Sequence, residues 1–127
     1  AITVYGDGNY IRDYVFIDDV VSAFLHAAAR ITDLDGGHFL IGSGVGHSLK
    51  QAFSLVAERV ERSTGQRASV IQSDWPEGTS QIELRNFTAD ISRFSGLNGW
   101  QPAMPLERGI DATIAAILKI YDGAGEI

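Results

Sequence analysis

The stretch Tyr5-Gly6-Asp7-Gly8-Asn9-Tyr10-Ile11-Arg12-Asp13-Tyr14-Val15-Phe16-Ile17-Asp18-Asp19 constrains the chain most. Residues 2–5 and 10–17 alternate as two strands do, and Asp7-Gly8 is the dipeptide favoured in a two-residue hairpin turn, where Gly accepts positive φ. Asp18 or Asp19 can then cap a helix, because a carboxylate accepts the free N–H groups of a first turn. Arg12 lies in a strand between aromatic and aliphatic neighbours. Burying an unpaired charge is expensive, so Arg12 must meet an anion. Its guanidinium fork suits phosphate oxygens, and Asp13, Asp18 or Asp19 could serve equally as an internal partner.

The remaining elements follow from periodicity and breakers. Val20, Val21, Phe24, Leu25 and Ala28 recur at helical spacing and predict a helix over about 18–30. Asp35-Gly36-Gly37 breaks the chain, and His38–Ile41 is a short apolar strand. Gly42–Gly46 is a loop and Ser48 a cap. Leu49, Ala52, Phe53, Val56, Ala57 and Val60 mark one face of a helix that Gly65 ends. Residues 68–72 form a third apolar strand, 74–81 a loop and 82–88 a short strand. Asp90 caps a short helix to about Ser95. Pro102 and Pro105 bracket a turn, with Pro105 suited to a first helical position. The last helix carries Leu106, Ile110, Ile114, Ile117, Leu118 and Tyr121 on one face, and the tail beyond Gly123 is expected to fray.

Composition narrows the function classes. The 127 residues fit one domain; 45% are hydrophobic and 20% charged, which suits a packed core. The net charge of −6 argues against a general nucleic-acid or anionic-membrane binder. No apolar run approaches the ~18 residues of a membrane span. The chain has no cysteine, which removes disulfides and thiolate chemistry. It starts at Ala1 and runs directly into a strand-like segment, as expected of a piece of a longer protein.

Other chemistry is weak. Strand 38–41, Gly42-x-Gly44 and helix 49–64 imitate a dinucleotide loop, whose backbone amides receive a pyrophosphate, but the third glycine of the pattern falls on His47. His26, His38 and His47 have no metal-ligand spacing and read as surface or half-buried. Ser43 and Ser48 lack a nucleophile-elbow motif.

Tyr5-Gly6-Asp7-Gly8-x-x-Ile11-Arg12-Asp13-Tyr14-Val15-Phe16-Ile17-Asp18-Asp19-Val20 closely resembles a motif of the extended short-chain dehydrogenases/reductases, the nucleotide-sugar epimerases and dehydratases. Ile41-Gly42-Ser43-Gly44 with Ser48-Leu49, then Asp90-Ile91-Ser92-Arg93, Leu97-x-Gly99-Trp100-x-Pro102 and Leu106-Glu107-x-Gly109-Ile110 resemble the family's later motifs, in order. The resemblance implies an α/β piece with short strands and about four helices but without the Rossmann core: residues 1–127 as a C-terminal nucleotide-sugar-binding domain. It implies that Arg12 holds the diphosphate and Tyr5 lies beside the base. The family's Asn before Ile-Gly is Leu40 here, and its second arginine would fall near Thr79-Ser80; Arg85 is either a substitute or a solvated strand residue.

The resemblance further implies NAD or NADP bound by an N-terminal Rossmann domain and none bound here. No Tyr-x-x-x-Lys occurs, and Lys50 and Lys119 are the two lysines, so no catalytic residue is assigned and the chain alone is expected to be inactive. The implied partners are a nucleotide sugar, the Rossmann domain and, through apolar surface that domain would cover, a second copy. No nucleic acid or membrane is implied, and the location expected is the cytoplasm. The alternatives are a related reductase or dehydrogenase with a non-nucleotide substrate, and a non-catalytic binding module.

Overall fold

In a computed structural model of the chain, residues 1–34 and 36–123 are described. Asp35 in the predicted chain break and the tail predicted to fray lie outside them. The order is β1 (Ile2–Tyr5), β2 (Ile11–Asp13), α1 (Ile17–Ala29), α2 (Ile31–Leu34), β3 (Gly46–Ser48), α3 (Leu49–Thr64), β4 (Val70–Ser73), a 3₁₀ turn (Gln81–Leu84), α4 (Ser92–Asn98) and α5 (Leu106–Gly123).

The expected hairpin does not form. β1 pairs in parallel with β4, Ile2 opposite Val70 and Tyr5 opposite Ser73. β2 pairs antiparallel with β3, Arg12 opposite His47. Asp7 instead folds the 6–9 turn on itself, its carboxylate accepting from the backbone and side-chain N–H groups of Asn9, both at 2.9 Å. The second strand is three residues long rather than eight: residues 14–16 join no ladder, and helix α1 begins at Ile17.

α3 is the clearest case of local sequence setting structure. The Ser48 hydroxyl accepts from the Gln51 N–H (3.1 Å) while the Gln51 side chain accepts from the Ser48 N–H (2.9 Å), a reciprocal cap. Gly65 ends the helix at φ 71°, a left-handed conformation that suits glycine. α3 packs on β1 and β4 and also against α5. There Arg59 reaches Asp111 at 3.0 Å.

A second cluster joins α1 to α4 through Ala23, Phe94 and Trp100, with Phe39 and Ile41 against it. Phe94 meets Trp100 edge-on at 5.6 Å between ring centroids. Residues 38–41 contribute these side chains but form no ladder among the described residues, contrary to the strand expected. Residues 82–88 likewise form the end of a 3₁₀ turn and an unladdered segment.

Asp18 and Asp19 do not cap α1; Phe16 occupies the cap position, with no side-chain bond. Asp19 is 6% exposed, and its carboxylate accepts from the N–H groups of Ala103 and Met104, both at 3.0 Å. It holds the 102–105 turn on α1. Pro105 precedes α5 rather than beginning it. Asp19 and Ala23 face inward, while the apolar positions expected to do so, Val21, Phe24 and Leu25, stay exposed, Phe24 at 71%. On α5, Ile114 is buried but Ile117 and Tyr121 are exposed.

Replacing Asp19 with Ala strands two N–H groups of the 102–105 turn, and each unsatisfied buried donor costs about 1–3 kcal/mol. Chemical denaturation should show a loss of about 2–6 kcal/mol for Asp19→Ala and a smaller loss for Asp19→Asn, which keeps one acceptor oxygen.

Candidate functional site

The site is built around β2, whose alternating side chains face opposite sides. Asp13 points to one side and gathers four donors. Its carboxylate accepts from the Ser43 N–H and hydroxyl (2.7 Å each), the Gly44 N–H (3.0 Å) and the Ala89 N–H (3.0 Å). Gly42 completes the fit: a Cβ there would stand 2.5 Å from the Ala89 Cβ and 2.8 Å from an Asp13 oxygen. Burial works to raise the Asp13 pKa, but the bonds from Ser43, Ala89 and Gly44 outweigh it and hold the carboxyl below its usual range.

This arrangement tests the glycine loop as a dinucleotide cradle, and the residues do not fit one. The amides of Ser43 and Gly44, which a pyrophosphate would need, already donate to Asp13. The first turn of α3 is closed by its own cap, and Gly46–Ser48 is a strand rather than part of a loop.

Arg12 lies on the opposite face. Its Nη1 donates to the carbonyls of Ile11 (3.0 Å) and Arg85. Its Nη2 donates to the Glu83 carbonyl at 2.8 Å and to the Glu83 carboxylate at 3.5 Å. Among the described residues the charged partner of Arg12 is therefore Glu83, not Asp13, Asp18 or Asp19. The backbone reinforces the clip: the Ile11 N–H donates to the Asn86 side-chain oxygen (2.8 Å), and the Phe87 N–H donates to the Ile11 carbonyl (3.0 Å). Residues 83–87 thus lie along β2, with Arg12 as the clasp. Nε of Arg12 makes no hydrogen bond to the described residues, and the Glu83 carboxylate is held at the long limit of an ion pair.

Tyr5 ends β1, 40% exposed, and stacks on Trp75 with centroids 5.8 Å apart. Tyr10 meets the same indole edge-on at 6.1 Å. Arg85 is exposed and contributes its carbonyl to Arg12; its side chain makes no hydrogen bond or ion pair among the described residues. The structure thus brings Arg12 and the Arg85 backbone together. It adds Glu83 and Trp75, which sequence reading missed because both lie in stretches without periodicity. Leu40 is exposed at 53%.

Two residues on from Arg12, the Tyr14 hydroxyl is buried and has no hydrogen-bond partner among the described residues. Its pKa is raised by burial, and the charge of Arg12 opposes part of that shift. Tyr14, Ser43, His47 and the 102–107 segment line a cleft of about 310 Å³. A more apolar groove of about 360 Å³ runs between α3 and α5.

The parallel β1–α3–β4 unit, with the segments tied by Asp13 and Asp19, makes a mixed α/β fold of short strands and helices, which solved epimerase structures match over most of the chain. More narrowly, the chain belongs to the NAD dependent epimerase/dehydratase family, whose model matches residues 1–42. The UDP-glucose 4-epimerase of Mycolicibacterium smegmatis is 34% identical over 113 residues, 87% of this chain and 32% of that protein. The dTDP-L-rhamnose 4-epimerase of Burkholderia thailandensis is 32% identical over 110 residues, 87% of this chain and 28% of that protein. Among solved structures, the Thermotoga maritima UDP-glucose 4-epimerase with UDP-glucose has a TM-score of 0.73 at 30% identity, over 94% of this chain and 35% of that one. The Bacillus cereus UDP-glucuronic acid 4-epimerase, in complex with UDP-glucuronic acid and NAD, has a TM-score of 0.72 at 25% identity over the same shares. The chain spans about a third of the length of the curated relatives it matches. Among the described residues, no helix is long and apolar enough to cross a membrane.

The pH dependence of stability follows from Asp13. Its folded pKa is lowered, so its contribution is present above the unfolded carboxylate pKa of about 3.9 and is lost as pH falls through the folded value. In urea unfolding, the stability gap between the native chain and Asp13→Asn should be largest near neutrality and shrink in acid. A gap independent of pH would remove the carboxylate's charge from the explanation.

Proposed function

We propose that this chain is the sugar-nucleotide-binding portion of an NAD(P)-dependent epimerase or dehydratase. The observation that carries the reading is Arg12: a strand arginine fixed by three carbonyls, with an Nε that has no partner among the described residues and a carboxylate at the long limit of an ion pair. An incoming diphosphate would take Nε and the Nη2 hydrogen that now faces Glu83. Tyr5, backed by Trp75, would lie against the base. Arg85, on the segment that Arg12 clasps, would lend a second positive charge. The similarity to epimerases solved with UDP-sugars supports this choice of ligand.

In this reading the chemistry belongs to an N-terminal Rossmann domain. That domain would hold NAD or NADP and supply the acid–base tyrosine, oxidising the sugar transiently and returning the hydride. The described portion would contribute by anchoring the nucleotide so that the sugar ring meets the cofactor, an entropic gain. Alone it would turn over nothing. The exposed apolar stripe of α1, Val21, Phe24 and Leu25, suits coverage by that domain. Leu40 favours a second reading, a reductase or dehydrogenase with a non-nucleotide substrate, since an apolar side chain at that position offers a nucleotide no hydrogen bond.

Calorimetric titration with UDP-, dTDP-, GDP- and CDP-sugars tests the first reading. A charge-assisted bond contributes about 1.5–3 kcal/mol, so Arg12→Ala should weaken binding about 10- to 100-fold. Arg12→Lys should recover part of it by keeping the charge without the fork. Titrations with no response from the native chain or from a longer chain carrying the Rossmann domain would favour the second reading.

A further inference from the structure

A guanidinium carries five N–H donors in a rigid fork. In Arg12, three of them go to the carbonyls of Ile11, Arg85 and Glu83, and a fourth faces the Glu83 carboxylate at 3.5 Å. The last, on Nε, has no partner among the described residues. Nε and Nη2 share one edge of the guanidinium, and such an edge grips an oxyanion through two parallel bonds. The Glu83 carboxylate meets that edge through Nη2 alone. Glu83 is thus bound to Arg12 twice, in two different ways. Its carbonyl accepts from Nη2 at 2.8 Å, while its carboxylate sits at the long limit on a side chain that is 54% exposed, against 22% for Arg12. An ion pair so open to water adds little to stability. The 81–84 turn does not depend on it either. The Glu83 N–H donates to the Ser80 carbonyl (3.0 Å), and the Ile82 N–H donates to the Ser80 hydroxyl (3.3 Å). The carboxylate is therefore free to swing off Arg12 about its own side-chain bonds while the backbone clasp stays closed.

We propose that Glu83 sets the affinity of the ligand site as an internal counter-anion: its carboxylate occupies the phosphate-gripping edge of Arg12 until the diphosphate of a sugar nucleotide displaces it. The proposal rests on the reading of Arg12 as a diphosphate ligand. A largely buried cation left without an anion is costly, so a tethered carboxylate keeps Arg12 compensated when no ligand is bound. The diphosphate wins the exchange because it takes Nε and Nη2 together, where Glu83 makes one long contact. Binding and release are then the replacement of one anion by another on a fixed arginine. The displaced carboxylate stays close, tethered by its own backbone, and repels the phosphates. Both effects act in one direction: Glu83 weakens the hold on the diphosphate and favours its release.

UDP-glucose is the probe, titrated near neutral pH into the native chain, Glu83→Gln, Arg12→Ala and the double variant, each checked for folding by circular dichroism. Glu77→Gln is the control, since it removes an exposed carboxylate from the same segment without touching Arg12. Binding is read by calorimetry, and by amide NMR where it is weak. Glu83→Gln should bind about three- to tenfold more tightly than the native chain at low salt, and the gain should shrink as salt is raised. Glu77→Gln should stay within about twofold of the native chain. Without Arg12 the carboxylate has nothing to occupy, so the gain from Glu83→Gln should fall to within about twofold in the Arg12→Ala background. No gain in Glu83→Gln, an equal gain in Glu77→Gln, or a gain undiminished by Arg12→Ala overturns the proposal for Glu83 alone. Undiminished binding by Arg12→Ala, or no binding by either the native chain or Glu83→Gln, overturns the diphosphate reading and this proposal with it.

Discussion

Four donors on one carboxylate organise the part of the molecule that matters for ligand binding. Asp13 takes the loop at Ser43-Gly44 and the backbone at Ala89, segments 30 and 76 residues away in sequence. Charge-assisted bonds of this kind are about twice as strong as neutral ones. They fix the chain before β3 against β2 and thereby set the register that places His47 opposite Arg12. Asp19 does the same for the turn at 102–105. Two acidic residues of one motif thus hold three distant segments together.

This use of Asp13 decides what the glycine loop can be. An amide pair that already donates to an internal carboxylate is closed to an external pyrophosphate. The opposite face of the same strand is where basic and aromatic side chains remain available. Arg12 is held by carbonyls rather than by a close carboxylate, which fixes the side chain while leaving its charge only weakly compensated. Tyr5, Tyr10 and Trp75 form a compact aromatic group at the end of β1. Structure and charge divide along one three-residue strand, with Asp13 serving the fold and Arg12 facing outward.

What the sequence revealed tracks how local each determinant is. α3 was readable at both ends because its cap is Ser48 with Gln51 three residues on, and its stop is Gly65. The extents of α1 and α5 followed from apolar periodicity for the same reason. The strands were harder. Alternation marked β1 and an apolar run marked β4, but neither told of their parallel pairing, and Asp7-Gly8 suggested a hairpin that β4 pre-empts. The periodicity of α1 located the helix but not its buried side, which Asp19 and Ala23 define instead of Phe24 and Leu25. Arg12 was recognised as needing an anion, yet its partner Glu83 lies 71 residues away in a stretch with no pattern. Trp75 was hidden in the same way, since no local signal says which loop aromatic stacks on Tyr5.

The claim that the Arg12 face of β2–β3 receives a sugar nucleotide is tested most directly by two-dimensional amide NMR of the chain titrated with UDP-glucose. Shifts are expected at Tyr5, at Arg12 to Tyr14, at Val45 to His47 and at Glu83 to Asn86, with the capped first turn of α3 unmoved. Shifts confined to the groove between α3 and α5, or none at saturating ligand, would contradict it.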